Sequence, residues 1–306
     1  MEDDSRLAFE LVELALELAP KVSGDEPLLC GIQEYAWKHL GNVCRARGDL
    51  KGAREAFHRG KEFFLGGIMG TLPTLIQRDR LAGLEAALHR DQGNLAEALR
   101  MIDHAVTLGD HGAGRPALLW EKARLHRQLG QPEVALQALS WADRDARTCA
   151  PRLLVRIEIE RGEALCDLGR HGEVKQLPSS LRKAARSYQF ERARLLCLEG
   201  RVAAGLGRLE EAEAILQKSL AEPCNRAVTA VVLLSLEVAA LYAGQGQTAK
   251  LKRLAEQTLQ LAEILGQDRE TAATLKLWSR LVAQEKLSVE RAQQFVRDFA
   301  RVAASR

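Results

Sequence analysis

A glycine that closes one helical run and turns the chain into another returns six times. "GDLKGAREAF" fills residues 48–57, "GNLAEALRMI" begins at 93 and "GRLEEAEAIL" at 207. The anchors are Gly48, Gly93, Gly130, Gly169, Gly207 and Gly246, spaced by 45, 37, 39, 38 and 39 residues. Seven residues before them stand Gly41, Ala86, Ala123, Gly162, Gly200 and Ala239, all small; five residues after stand Ala53, Ala98, Ala135, Val174, Ala212 and Leu251. Antiparallel helices pack closely only where the side chains at their crossing are small, and a glycine can end a helix in the left-handed conformation that reverses the chain. Around the first anchor, Tyr35, Ala36, Leu40, Val43 and Cys44 precede the turn, and Ala53, Ala56 and Phe57 follow it, with helical periodicity. Each unit is therefore a helix, a tight turn and a second helix, and such units bury their apolar faces by stacking on one another.

Composition points the same way. Apolar residues make up 46% of the chain and aromatics 5%. Leu, Ala, Arg, Glu and Gln favour helix, and the β-branched residues are too sparse and unpatterned for a sheet. A net charge of +3 makes the whole molecule no obvious polyanion binder, so a basic patch must be local. Cys30, Cys44, Cys149, Cys166, Cys197 and Cys224 are scattered without a C-x-x-C pair. They read as buried thiols in a reducing compartment, not as a disulfide framework. The start, Met1-Glu2-Asp3-Asp4, lacks the basic region and apolar core of a signal peptide. The most apolar stretch, 227–244, carries Glu237 near its middle, a costly residue for a membrane span. The expectation is a cytoplasmic chain that engages no membrane.

"WKHLGNVCRARGDLKGAREAF", residues 37–57, sets Trp37, Leu40, Gly41, Gly48, Ala53 and Phe57 in an order that resembles the tetratricopeptide repeat (TPR). Later units keep the small residues and lose the aromatics. The fourth is the weakest, because "GRHGEVKQLP" puts Pro178 inside its second helix. The period exceeds the 34 residues usual for the family, as in long-period bacterial members. The resemblance spans nearly the whole chain. It implies an all-α fold: one right-handed α-solenoid over residues 1–306, with about six to seven helix-turn-helix repeats.

A leading helix over 5–19 reads as a half-repeat. Its apolar side holds Leu7, Leu11, Leu14 and Leu18 with Phe9, Val12 and Leu16, and its acidic side Glu10, Glu13 and Glu17. A helix pair over 269–304 caps the far end. Its last helix buries Ala292, Phe295, Val296, Phe299 and Val302 and exposes Arg291, Gln294, Arg297, Asp298 and Arg301. The segment 63–75, "FFLGGIMGTLPTL", is either a loop folded onto the solenoid or an exposed apolar lip for a partner.

No constellation of catalytic residues stands out. The histidines are dispersed, with no H-E-x-x-H and no Cys/His cluster at metal spacing. His89 and His126 share one repeat position and read as packing residues. "LGDHGAGRP", residues 108–116, lacks the G-K-[ST] of a phosphate loop. The chain reads as non-catalytic, with no cofactor and no metal.

By the same resemblance, the first helix of each unit faces an inner groove at 13, 10, 6, 3 and 2 residues before the anchor. Nine of these thirty positions are basic: Lys38, Arg45, Arg80, Arg90, Arg124, Arg127, Arg156, Arg194 and Arg201. At the chain's 44 Lys and Arg in 306 residues, about four would be expected. Three are acidic, Asp91, Glu163 and Asp167. Arginine suits planar, bidentate contact with carboxylates, and Tyr35, Asn42 and Trp120 complete the candidate partner-binding face. Ordinary pairing of these arginines within the chain is the alternative, and the sequence leaves both open. Some TPR domains clamp a C-terminal carboxylate. Lys38 and Asn42 fit that pattern, but Leu84, Ala117 and Glu121 do not, and the clamp is not expected. The resulting expectation is a protein-protein scaffold or adaptor holding an acidic segment or helix of a partner. A regulator acting on nucleic acid, directly or through a DNA-binding partner, is the alternative. Self-association through the first helix is a third possibility.

Overall fold

The computed structural model describes residues 2–21, 26–66, 78–108, 114–145, 151–174, 179–221, 227–264, 269–284 and 287–304. Among them are fifteen α-helices and no strand. The helices are α1 (Glu2–Leu18), α2 (Glu26–Ala46), α3 (Leu50–Gly66), α4 (Arg78–Asp91), α5 (Leu95–Leu108), α6 (Arg115–Gln128), α7 (Pro132–Asp145) and α8 (Pro151–Asp167). They continue with α9 (Ser179–Arg186), α10 (Gln189–Gly205), α11 (Leu209–Ala221), α12 (Val228–Gly244), α13 (Thr248–Ile264), α14 (Arg269–Ala283) and α15 (Val289–Ala304).

All six anchor glycines have positive φ, from 67° to 81°, where an L side chain would be strained. At each, the amide of the following residue donates to the carbonyl four residues before the glycine. Asp49 N–H donates to Cys44 C=O at 2.9 Å and Gln131 N–H to His126 C=O at 2.8 Å. This is the Schellman closure of a helix. At five of the anchors the same residue then accepts the first bond of the next α-helix; Asp49 C=O takes Ala53 N–H at 3.0 Å, while its side chain takes Gly52 N–H at 2.8 Å. There, three residues separate the end of one helix from the start of the next.

The small residues sit at the crossings. Ala53, Ala98, Ala135 and Ala212 are fully buried, as are Ala123 and Ala239. A Cβ on Gly162 would meet Leu198 at 2.5 Å, and one on Gly200 would meet Leu234 at 2.7 Å.

The chain forms two compact units, Met1–Lys122 and Ala123–Arg306. In the first, α1 packs on α2, α2 on α3, α3 on α4 and α4 on α5. Phe57 is buried there with Cys44, Ala53, Leu81 and Leu88. In the second, α7 packs on α8, α8 on α10, α10 on α11 and α12, and α12 on α13. The largest buried side chains of its core are Trp278 and Phe299.

Three features depart from a uniform repeat. In the fourth unit a 3-10 turn (His171–Glu173) and the short α9 stand where a full second helix was expected. Pro178, read as lying inside that helix, falls outside the described residues, and a proline there cannot donate the bond that a helix interior needs. Helix α14 packs on α13, whereas α15 packs on α12. Leu233 and Leu236 of α12 are buried in one cluster with Phe299 and Ala300 of α15. The chain's own last helix thus packs on the first helix of the sixth unit, and two of that unit's groove positions, Leu233 and Leu236, are core residues. Finally, most of the 63–75 segment and of the 108–116 loop lies outside the described residues.

Candidate functional site

The arginines of the first-helix face are positioned by the repeat itself. Helices α2, α4, α6, α8, α10 and α12 each end in the same cap, so equivalent positions present side chains in register to the next first helix. In the first unit, Lys38 is buried and its Nζ meets Glu34 Oε1 at 2.6 Å. Arg45 binds Asn42 Oδ1 at 3.1 Å and Asp91 on α4. Arg90 binds Glu121 on α6 and Asp91. Tyr35 is 42% exposed, with its ring 4.3 Å from that of His39. Trp120 is half-buried. The side chain of Arg80 lies outside the description.

In the second unit the pairing becomes a ladder across four first helices. Arg127 on α6 donates to Glu160 at 2.6 Å, Glu163 at 2.7 Å and Asp167 at 2.8 Å, all on α8. From α10, Arg194 reaches Glu163 at 2.6 Å and Glu160 at 3.1 Å, and Arg201 reaches Asp167 at 3.1 Å. Arg201 Nε then donates to Glu237 on α12 at 2.8 Å. Arg124 is buried beside them and lines the same cavity of about 30 Å³, space for about one water. Arg156 with Arg152 holds the buried Glu191 at 2.7 and 2.8 Å.

The charges respond to this environment in opposite ways. Burial alone would raise the Glu163 carboxyl, but the Arg194 and Arg127 guanidiniums outweigh it and hold the group at about 2. For Glu237 burial prevails over Arg201 and lifts the carboxyl to about 6. Burial also lifts the Cys166 and Cys197 thiols to about 12. The ladder sets Arg127, Arg194 and Arg201 against Glu160, Glu163, Asp167 and Glu237. These arginines are neutralised by their own neighbours, and a fully desolvated ion pair opened for an outside ligand would leave a buried charge unpaired.

Two of the acids, Glu121 and Glu160, meet their arginines at an offset that runs between repeats, not within one. The arginine three residues before an anchor meets the glutamate nine residues before the next, as in Arg90 with Glu121 and Arg127 with Glu160. Comparison of consecutive repeats could have found Glu121 and Glu160. Reading each helix alone could not.

A second basic site was not singled out in the sequence. Because the fourth unit lacks a full second helix, a cavity of about 570 Å³ opens between α9, α10 and α11. Ala185, Leu195, Leu196 and Val231 line it together with Arg182, Arg186, Arg192, Lys218 and Glu199. Glu199 Oε1 lies 3.4 Å from Arg182. Arg186, Arg192 and Lys218 are exposed and form no ion pair with another described residue. An apolar floor under an excess of cations suits an anionic ligand with an apolar part. Among the described residues, no group of three His, Cys, Asp or Glu could hold a metal ion, and no helix is long and apolar enough to cross a membrane.

Residues 193–221, covering most of α10 and all of α11, match the family model for the tetratricopeptide repeat. No curated protein matches the chain. Repeats of this family are protein-interaction modules, typically without catalysis. Helices α10 and α11 form a tetratricopeptide repeat, closed by the same turn as the other helix pairs, and the described residues fold as an all-α repeat protein.

Proposed function

We propose that the chain is a non-catalytic scaffold or adaptor that holds an acidic segment of a partner protein. The observation that carries this reading is the cavity between α9, α10 and α11, where Arg186, Arg192 and Lys218 stand over an apolar floor. The first-helix arginines give the site its rigid frame. Arg127, Arg194 and Arg201 hold neighbouring helices in register, as Arg45 and Arg90 do within the first unit, while Lys38 and Asn42 pair within α2 and Arg124 is buried beside the ladder. Tyr35, Arg45 and Arg156 keep part of their surface and can extend contact beyond the cavity.

A fluorescein-labelled peptide rich in Glu with a single Leu, titrated with the full chain and read by polarisation, tests the reading. Affinity falls as ionic strength rises. Arg192→Glu with Lys218→Glu turns two attractions into repulsions, about 1–3 kcal/mol in all, and weakens binding roughly tenfold or more. Unchanged affinity in that variant would overturn the assignment. Tighter binding of a single-stranded oligonucleotide than of the peptide, with a steep linear dependence of log affinity on log salt, would favour the regulatory alternative.

A further inference from the structure

Helix α1 has two apolar faces, and its own unit uses one of them. Phe9 packs against the cluster of Cys44 and Phe57, with the Arg47 guanidinium 5.0 Å from its ring centre. Val12 and Leu16 are half-buried. The other face shows Leu7, Leu11, Leu14 and Leu18 at 55, 56, 49 and 47% exposure. Their spacing of four, three and four residues is that of the a and d positions of a heptad, the seam along which one helix seats another. Other exposed large apolar residues, such as Trp141 and Leu277, do not form such a row.

The charge beside the seam selects the occupant. Glu10 and Glu17 fall at g positions and are exposed, as is Glu13. The other flank, Ala8 and Ala15, carries no charge and is half-buried. A second copy of α1 docked antiparallel would set Glu10 and Glu17 against their own equivalents, and a parallel copy would oppose them to alanine. Neither arrangement gives the glutamates a counter-charge. We propose that the Leu7, Leu11, Leu14 and Leu18 seam docks an amphipathic helix of a partner protein, one with apolar residues at the same four-three spacing and Lys or Arg beside them. The chain would then carry two separate surfaces, this seam for a basic helix and the α9–α11 cavity for an acidic segment. The seam proposal does not depend on the cavity.

The test titrates the full chain with a labelled synthetic helical peptide, Leu at a and d and Lys at e and g, and with its analogue carrying Glu at e and g. The Lys peptide binds, and the Glu peptide binds about tenfold more weakly. Leu11→Gln with Leu14→Gln abolishes binding while leaving the far-UV circular dichroism and Tm unchanged, since both side chains are already half in water. Glu10→Lys with Glu17→Lys reverses the preference between the two peptides. Binding of the Lys peptide that survives Leu11→Gln with Leu14→Gln would overturn the proposal. So would analytical ultracentrifugation showing a dimer that the same two substitutions dissociate, which would assign the seam to a second copy. Arg192→Glu with Lys218→Glu leaves this interaction unchanged.

Discussion

Replacing Arg127 by methionine removes the member of the ladder with the most partners. Its side chain is 1% exposed and contacts three carboxylates at 2.6–2.8 Å. Each charge-assisted bond to a buried group is worth about 1.5–3 kcal/mol. The loss is less than three such bonds, because Glu160 and Glu163 keep Arg194 and Asp167 keeps Arg201. What remains is a buried network with one cation missing, and removing one partner from a buried pair costs about 3–5 kcal/mol. Against a total stability of about 5–15 kcal/mol, that is a large fraction. A chain of repeats need not unfold in one step. Amide hydrogen exchange is therefore the better assay, and exchange in α8 and α10 should accelerate roughly a hundredfold to a few thousandfold. Adding Glu160→Gln should recover part of the loss, with a coupling of about 0.5–3 kcal/mol in the double-mutant cycle. A cost under about 1 kcal/mol, the value of an exposed ion pair, together with zero coupling, would refute the view that the ladder is structural.

Other substitutions test other parts of the account. Gly162→Ala should destabilise by about 1–3 kcal/mol in urea titration, because its Cβ would meet Leu198 at 2.5 Å. At Gly48 a Cβ meets nothing within 4 Å but φ is 81°, so alanine there should cost only the left-handed strain of about 1–2 kcal/mol. Glu163 and Glu237 should bend the stability–pH curve in opposite directions. With Glu163 held at about 2, below its unfolded value of 4.5, its contribution is present above 4.5 and lost as pH falls toward 2; Glu163→Gln flattens that acid limb. With Glu237 raised to about 6, the fold binds its proton more tightly than the unfolded chain does, so its contribution is lost as pH rises from 4.5 to 6; Glu237→Gln removes that loss. Urea titrations from about pH 2 to about pH 6 check both. Burial that lifts Cys166 and Cys197 to about 12 should leave them unreactive to iodoacetamide in the folded chain at pH 8, while half-buried Cys30 is alkylated before either of them, as read by peptide mass spectrometry.

The turns could be read from the sequence because a positive φ and a Schellman closure are local demands that glycine meets at Gly48, Gly93, Gly130, Gly169, Gly207 and Gly246. The small residues at fixed offsets were legible for a similar reason: Gly162 and Gly200 stand where a neighbouring leucine leaves no room for a Cβ. The partners of the arginines were not legible, since Glu160 meets Arg127 across 33 residues and neither helix alone encodes that meeting. The return of α15 onto α12 was equally hidden. An amphipathic helix can extend a stack or fold back onto it, and the available clue was that Leu233 and Leu236 occupy positions that an open groove would leave in water. Helix α1 shows a related ambiguity. Seven apolar residues cover too wide an arc for one face, but only the packing of Phe9 reveals which of them are turned outward. The cavity between α9, α10 and α11 depends on a second helix that fails to form, and Pro178 in the sequence signals the break without its consequence.

Hydrogen exchange of the full chain with and without the acidic peptide tests the functional account most directly, because it places the bound segment on the fold. The account predicts protection in α9, in the first half of α10 and at the end of α11, all of it lost in Arg192→Glu with Lys218→Glu. Protection confined to the first-helix face of α6 and α8, and untouched by those two substitutions, would contradict it.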